Sequence, residues 1–200
     1  MMKIIDGGVT AAEGFQAAGL AAGIKKGNTK DMALVYSEKP CVAAGTFTTN
    51  VVKAAPVKWD QHIVYDAPTA QAIVCNSGVA NACTGEEGYG YCKETAKIAA
   101  ESLQIPEDSV LVASTGVIGK QLPMDLLGAG IKNLVPLLSH TREAGKLAAQ
   151  SIMTTDTVSK EVAVTMEIGG KTVTLGGMCK APLQLNNKVC TFFCIRFMRK

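Results

Sequence analysis

The sequence predicts a mixed α/β fold, and three observations support this prediction. Apolar and polar side chains alternate with period two through residues 162–168 and again around Val173 and Leu175, which is typical of a β-hairpin. Several shorter apolar runs have the length and composition of strands, and longer segments with helix-start signals lie between them. Because strand-like and helix-like segments follow one another along the chain, the class is mixed α/β.

Four runs of apolar and β-branched residues predict strands before the hairpin. They are 32–37, 42–48, 72–75 and 109–113. The hairpin itself turns at Gly169-Gly170, because a tight turn of the primed type needs positive φ at both central residues. The segment 11–22 is rich in Ala and Gly and favours neither helix nor strand.

Three segments carry helix signals, and they cover residues 86–103, 124–133 and 140–153. Thr84 and Glu87 have the spacing of a capping box at the start of the first helix. Pro123 suits the first position of the second helix. Ser139 has a side chain that can cap the third helix.

Length and composition fit a globular protein and exclude several classes. The chain has 200 residues, 48% of them hydrophobic, which suits one domain or a part of a larger protein. The net charge of +3 is spread along the chain, so nucleic-acid binding is not predicted. The chain has no apolar run of about 18 residues, so no membrane span is expected. Residues 1–6 are too short and too polar for a signal peptide.

The cysteines predict a reducing compartment rather than a disulfide framework or a metal site. The seven cysteines show no Cys-x-x-Cys spacing: Cys41, Cys75, Cys83, Cys92, Cys179, Cys190 and Cys194. Only His62 and His140 could help them to bind a metal, and both histidines lie in ordinary polar contexts without a predicted catalytic role. We therefore expect reduced, mostly buried thiols in a cytoplasmic protein, with no metal and no resident cofactor.

Four segments are candidates for a functional site: 7–15, 75–82, 113–119 and 153–157. In the second and third, an apolar strand ends in small polar residues and glycine. Backbone amides exposed there can bind an anion or a developing oxyanion, although an ordinary strand-to-helix turn is the simpler interpretation. Neither G-x-G-x-x-G nor G-x-x-x-x-G-K-[ST] occurs, so an unrelated nucleotide-binding α/β domain is disfavoured.

Two further polar features are ambiguous when each is considered alone. The segment 154–157 places three hydroxyls and the Asp156 carboxylate after a predicted helix, which composition by itself explains as a capped turn. Lys180 follows the second strand of the hairpin, where a solvated lysine is the simplest interpretation.

Taken together and in order, these motifs resemble the ornithine acetyltransferase (glutamate N-acetyltransferase) family. The matching segments are 7–10 with 13–15, 45–50 (GTFTTN), 54–57 (AAPV), 75–85 (CNSGVANACTG), 114–119 (STGVIG) and 153–157 (MTTDT). The resemblance extends over residues 7–180, and several motifs in a fixed order make it specific. It implies that residues 1–180 form the α-chain domain of this family, with its layered α-β-β-α sandwich.

The resemblance also implies a reaction and a partner. The family cuts one precursor before an internal threonine, which becomes the N-terminus of a β-chain and the nucleophile. The acetyl group of N-acetylornithine passes to this threonine and then to glutamate, and some members also use acetyl-CoA as donor. The implied assembly is a cytoplasmic α2β2 heterotetramer of α- and β-chains.

Four residues of this sequence match site residues of the family. Thr115 and Gly116 match the pair that forms the oxyanion hole for the tetrahedral intermediate. Thr154 matches a substrate-binding threonine, with Thr155 as the alternative, and Lys180 matches a lysine that helps to hold the substrate.

After Lys180 the sequence departs from the family pattern, so residues 181–200 are predicted to be a divergent tail. A shifted reading frame or a truncated gene would explain the change. Thr191 stands at the family's spacing from Lys180, but Cys190 and Phe192 replace the expected neighbours, so no nucleophile is assigned. The alternative function is a catalytically inactive fragment that acts at most as a small-molecule-binding or interaction module.

Overall fold

The computed structural model describes residues 2–67 and 69–180, and for residues 191–196 it describes the backbone alone. In chain order the elements are β1 Met2–Ile5, β2 Phe15–Leu20, β3 Met32–Cys41, α1 Ala55–Asp66, β4 Ala70–Val79, α2 Gly85–Leu103, β5 Val110–Val117, α3 Met124–Leu134, α4 Arg142–Ser151, β6 Lys160–Ile168, β7 Lys171–Lys180 and β8 Thr191–Arg196. Short 3-10 helices cover Val9–Ala11, Glu107–Ser109 and Val135–Leu137.

The strands form two four-stranded sheets. The first, which we call the site sheet, has the order β2-β3-β4-β5, and the second has the order β1-β6-β7-β8. Within the site sheet, β4 and β5 run parallel because α2 carries the chain back between them. Their register places Ser77 beside Thr115 and Gly78 beside Gly116, so two glycine-containing strand ends meet at one edge of the sheet.

Helices α1, α2 and α3 cover one face of the site sheet and form the larger core. Small residues of α2, including Ala96 and Ala99, let this helix pack closely, while Ile63 of α1 and Ile131 of α3 fill the remaining space. Burying one large aliphatic side chain of this kind contributes about 1.5–3 kcal/mol. Trp59 of α1 is also buried here, and its indole N–H donates to the Val110 carbonyl at 2.9 Å, which ties α1 to β5.

A second, smaller core lies on the opposite face of the site sheet. Val35 and Cys75 of that sheet contact Ala148 and Ile152 at α4, and Met178 of β7 joins them from the second sheet. The two sheets are therefore stacked, with helices on the outer face of the site sheet. This arrangement confirms the predicted layered α/β class.

The late hairpin and the longest helix are confirmed. Strands β6 and β7 pair over their length: Ile168 lies opposite Lys171 beside the turn, and Lys160 lies opposite Cys179 at the other end. Gly169 and Gly170 both have positive φ, at 59° and 74°. Helix α2 begins one residue before the predicted range and ends at the predicted residue. Both features depend on interactions between residues close in sequence, which is why local patterns predict them.

The predicted strand at 42–48 is wrong. Strand β3 ends at Cys41, and the chain then runs without regular structure to α1. The reason is that β4 already occupies the place beside β3 in the site sheet, and within the described residues no strand lies next to this segment. Val42 is accordingly 88% exposed.

The helix-start predictions are partly wrong. Thr84 precedes α2 but makes no cap, because its hydroxyl donates to the side-chain oxygen of buried Asn81 at 2.8 Å. Ser139 instead pairs through its backbone with Ala17 of β2, and Thr141 caps α4 by accepting the Ala144 amide at 3.2 Å. Pro123 stands one position before α3 rather than inside it.

Helix α1 is missing from the sequence prediction. The available signal is a proline, Pro56, in its first turn, a position that proline favours. The divergent tail predicted from 181 onwards lies mostly outside the described residues; its described backbone, 191–196, forms β8 and pairs antiparallel with β7.

Candidate active site

A cavity of about 610 Å³ opens at the site sheet, and residues of both cores line it. Strands β3, β4 and β5 form its floor, and the irregular segment 42–52, the start of α1, Ile152 and Lys180 form its walls. Its volume lies in the range of small-molecule sites. Among the described residues that line it, Asp60 and Lys180 carry the charges, and Ser114, Thr115 and Asn76 add polar groups.

Thr115 and Gly116 lie near the end of β5, at the edge of the site sheet. Thr115 lines the cavity. Gly116 has φ 135°, and a Cβ built on it would overlap the Gly78 carbonyl and lie 2.7 Å from the Val79 nitrogen. The strand ends therefore approach so closely that position 116 requires glycine for purely steric reasons.

The two turns that follow these strand ends are held to each other by backbone hydrogen bonds. The Ala80 amide donates to the Val117 carbonyl at 2.9 Å, and the Gly119 amide donates to the Ala82 carbonyl at 2.8 Å. In the neighbouring strand, the buried Ser77 hydroxyl donates to the Ser151 carbonyl at 2.6 Å. Amides at this end of β5 are consequently held in fixed positions, as an oxyanion hole requires.

Lys180 ends β7, and its side chain is only 9% exposed. Its ammonium lies 3.7 Å from one oxygen of the Asp156 carboxylate, which is also buried. The same oxygen accepts the Thr154 amide at 3.4 Å, while the other oxygen accepts the Lys160 ammonium at 2.7 Å. Asp156 therefore joins the 154–157 turn to the end of β7.

The structure brings the predicted site residues together to different degrees. Thr115 and Lys180 line the same cavity, and Gly116 adjoins Thr115. Thr154 and Thr155 are exposed, and neither lines the cavity, although Thr154 is linked to Lys180 through Asp156. These positions are observed; the catalytic and substrate-binding roles stay predictions.

The other residues considered from the sequence lie away from this cavity or outside the residues that the structure describes. His62 pairs with Asp66 at 2.8 Å, and His140 pairs with Glu38 at 2.9 Å, both at partly exposed positions that do not line the cavity. Thr191 begins β8 beside Lys180 in the strand register, but its side chain and residues 181–190 lie outside the described part of the chain.

Asp60 of α1 is a partly buried carboxyl that sequence reasoning missed. One carboxylate oxygen accepts the Val112 amide of β5 at 2.9 Å, and the side chain also lines the cavity. Burial raises the pKa of Asp60 to about 7, and the hydrogen bond from Val112 opposes this shift. Burial also raises the pKa of the nearby Cys75 thiol, so that residue is a poor nucleophile.

Lys25 is a second charged residue that the sequence analysis left out. Its ammonium donates to the Met153 carbonyl at 3.0 Å, and its stem packs against Gly78. Fully buried Asp31 accepts the Lys25 and Ala22 amides and so fixes this loop beside the strand ends. Desolvation lowers the pKa of Lys25, although Asp31 opposes this effect. Nothing in the sequence around Lys25 indicated its contacts with Met153 and Gly78.

Two findings apply to the described part of the chain as a whole. It contains no group of three or more His, Cys, Asp or Glu side chains arranged to hold a metal ion. None of its helices has the length and apolar character needed to cross a membrane.

Comparisons with known proteins agree with the fold and the motif order. The model of the ArgJ family matches residues 16–197. The arginine biosynthesis bifunctional protein ArgJ of Gloeobacter violaceus is 47% identical over 187 residues, which are 94% of this chain and 46% of that protein. Its counterpart in Symbiobacterium thermophilum is 49% identical over 192 residues, 95% of this chain and 47% of that protein. The chain thus spans about half the length of the curated relatives it matches.

Two solved structures share the architecture. The arginine biosynthesis bifunctional protein ArgJ from Bacillus halodurans has a TM-score of 0.89 at 38% identity, covering 96% of this chain and 98% of that chain. Ornithine acetyltransferase from Mycobacterium tuberculosis, solved with ornithine, has a TM-score of 0.86 at 41% identity, covering 96% and 100%. From the matched family model, the identity to these relatives and the shared fold, the chain belongs to the ArgJ family.

Proposed function

We propose that this chain is one half of an acetyltransferase that moves the acetyl group of N-acetylornithine to glutamate in arginine biosynthesis. The observation that carries the proposal is that Thr115 and Lys180, the hydroxyl and the ammonium expected from the resemblance, line one cavity. The names of the relatives support it, since one structural neighbour is an ornithine acetyltransferase complexed with ornithine. Because the curated relatives are called bifunctional, we include acetyl-CoA as a second acetyl donor.

The proposed reaction has two halves. A threonine at the N-terminus of a second chain attacks the acetyl carbonyl of N-acetylornithine, and its own α-amine accepts the hydroxyl proton. The tetrahedral intermediate collapses to an acetyl ester on the threonine, and the ornithine amine leaves with that proton. The neutral amine of glutamate then attacks the ester and displaces the threonine oxygen, which takes up the proton that the amine loses, so that N-acetylglutamate and the free enzyme result.

Within this scheme, each predicted residue of this chain has a distinct role. The Thr115 hydroxyl and the Gly116 amide donate to the oxyanion of both tetrahedral intermediates. The Lys180 ammonium pairs with a substrate carboxylate, and the turn at Thr154 borders the substrate. The fixed backbone around Gly78 and Gly116 supports this assignment, because an oxyanion hole works through donors that need no rearrangement during reaction.

A second polypeptide segment is part of the proposal. The relatives are about twice as long as this chain, and we place the nucleophile and the remaining substrate contacts in the half that this chain does not match. We propose that this half is a β-chain and that the assembled enzyme is an α2β2 heterotetramer.

The chain by itself is expected neither to cleave itself nor to transfer acetyl groups, because it lacks the partner that supplies the nucleophile. Mass spectrometry of the purified protein should give the intact mass, and a fragment that begins at Thr191 would contradict this expectation. An assay of acetyl transfer from N-acetylornithine to glutamate should give no turnover above background. Ornithine binding without turnover, even after the second half is added, would favour the alternative of an inactive binding module.

In the enzyme assembled with a matching second half, replacement of Thr115 by valine is expected to lower kcat about 100-fold or more, since one oxyanion donor is lost. KM for N-acetylornithine should change little, because the donor acts on the transition state more than on bound substrate. Thr115→Ser keeps the hydroxyl and is the matched control, with activity expected within about tenfold of the parent. If Thr115→Val retains full kcat, the oxyanion role of Thr115 is wrong.

A further inference from the structure

The carboxylate of Asp156 lies beside Lys180 and is buried. Its side chain is 1% exposed, whereas carboxylates are almost never buried to this degree without partners. One oxygen accepts the Lys160 ammonium at 2.7 Å, and the other lies 3.7 Å from the Lys180 ammonium and 3.4 Å from the Thr154 nitrogen. The carboxylate thus has separate contacts at its two oxygens.

The two lysines differ in what they need from this carboxylate. Lys160 is 39% exposed, so water hydrates its ammonium whether or not Asp156 is present. The side chain of Lys180 is 9% exposed, and among the described residues Asp156 is the countercharge of its ammonium. A separation of 3.7 Å is an ion pair rather than a hydrogen bond, which leaves the N–H donors of Lys180 available to a ligand in the cavity.

We propose that Asp156 is a positioning residue that holds the Lys180 ammonium and the Thr154 turn as one unit for binding a carboxylate of the amino-acid substrate. This inference rests on the proposed function and adds a residue to it. The Asp156 charge holds Lys180 at the cavity wall, and the bond to the Thr154 amide fixes the turn at the same place. Asp60, the carboxyl that lines the cavity itself, belongs to α1 and forms no ion pair with Lys180 among the described residues.

The direct test measures the chemical reactivity of lysine amines in the isolated chain. Trace acetic anhydride labels each lysine, peptide mass spectrometry reads the extent, and exposed Lys97 serves as the internal standard. In Asp156→Asn, the amine of Lys180 loses the countercharge that holds it in place, so its relative labelling should rise at least about fivefold. Lys160→Met, which removes the other cation, should not raise the labelling of Lys180.

A second measurement separates positioning from a merely structural role. In the enzyme assembled with a matching second half, Asp156→Asn should raise KM for N-acetylornithine about tenfold or more, with kcat within about threefold of the parent. Loss of folded protein would lower the apparent kcat and leave KM unchanged. Asp156→Glu, which restores the charge, should bring KM part of the way back to the value of the parent enzyme.

The outcomes of these experiments are distinguishable. Unchanged labelling of Lys180 in Asp156→Asn overturns the proposal whatever the enzyme does, and so does a KM equal to that of the parent. If labelling rises as expected but the assembled parent enzyme transfers no acetyl group, the coupling between Asp156 and Lys180 stands and the proposed function fails.

Discussion

Replacement of Gly116 by alanine is expected to destabilise the chain by about 2–6 kcal/mol, which sums the cost of a forbidden backbone conformation and of an overlapping methyl group. The φ of 135° lies where an L side chain rarely fits, and the added Cβ would overlap the backbone of Gly78 and approach the nitrogen of Val79. Neither strand can move away easily, because β5 pairs with β4 along its whole length. Urea unfolding followed by circular dichroism measures the loss.

Gly119→Ala is the matched control in the same segment. Gly119 also has positive φ, at 71°, but a Cβ there would have no neighbour within 4 Å. Its substitution should therefore cost only about 1 kcal/mol from the backbone conformation. Equal losses in the two variants would show that the close approach of the strands at Gly116 is not the reason for glycine there.

Asp60→Asn is expected to stabilise the chain, and the gain should grow as the pH rises from about 4 to 7. The folded-state pKa of Asp60, about 7, exceeds its ordinary value of 3.8. Between these two values the folded state binds more protons than the unfolded state, so the parent loses stability as pH rises. This loss of folding stability is complete above the folded-state pKa and amounts to at most about 4 kcal/mol. The asparagine variant carries no carboxyl at this position and so does not show the loss.

The asparagine side chain keeps an oxygen that can accept the Val112 amide, so the substitution removes the charge and retains the hydrogen bond. Unfolding curves recorded at about pH 4, 5, 6, 7 and 8 measure the difference in the free energy of unfolding between variant and parent. Asp66→Asn removes a carboxyl that is 65% exposed on the same helix, and its effect should stay within about 0.5 kcal/mol. A pH-independent difference for Asp60→Asn would contradict the raised pKa.

Both predictions concern β5, which carries Thr115 and Gly116 to the cavity. Its outer edge is held by two consecutive residues of α1, because Trp59 donates to the Val110 carbonyl and Asp60 accepts the Val112 amide. An edge strand without such partners leaves its backbone groups to water or to another chain. The stability of this edge therefore bears directly on the geometry of the candidate site.

The sequence by itself determined the features that depend on near neighbours along the chain. Alternating side chains and the glycine pair at 169–170 predicted the hairpin, and the spacing of Thr84 and Glu87 predicted a helix where α2 lies. The ordered glycine and threonine motifs also led to the family and, through the resemblance, to Thr115 and Lys180. The assignment of these two residues to one site comes from the family resemblance and not from any local pattern in the sequence.

Only the tertiary structure decided which segments find a partner. The segment 42–48 has a strand-like composition but no strand beside it, and Ser139 pairs with Ala17 instead of capping a helix. Asp60 is hydrogen-bonded to a strand about fifty residues further along the chain, and Asp156 meets Lys180 at the open end of the β6–β7 hairpin. Burial and ion pairing arise from contacts between distant parts of the chain, so a single sequence carries no local signal of them.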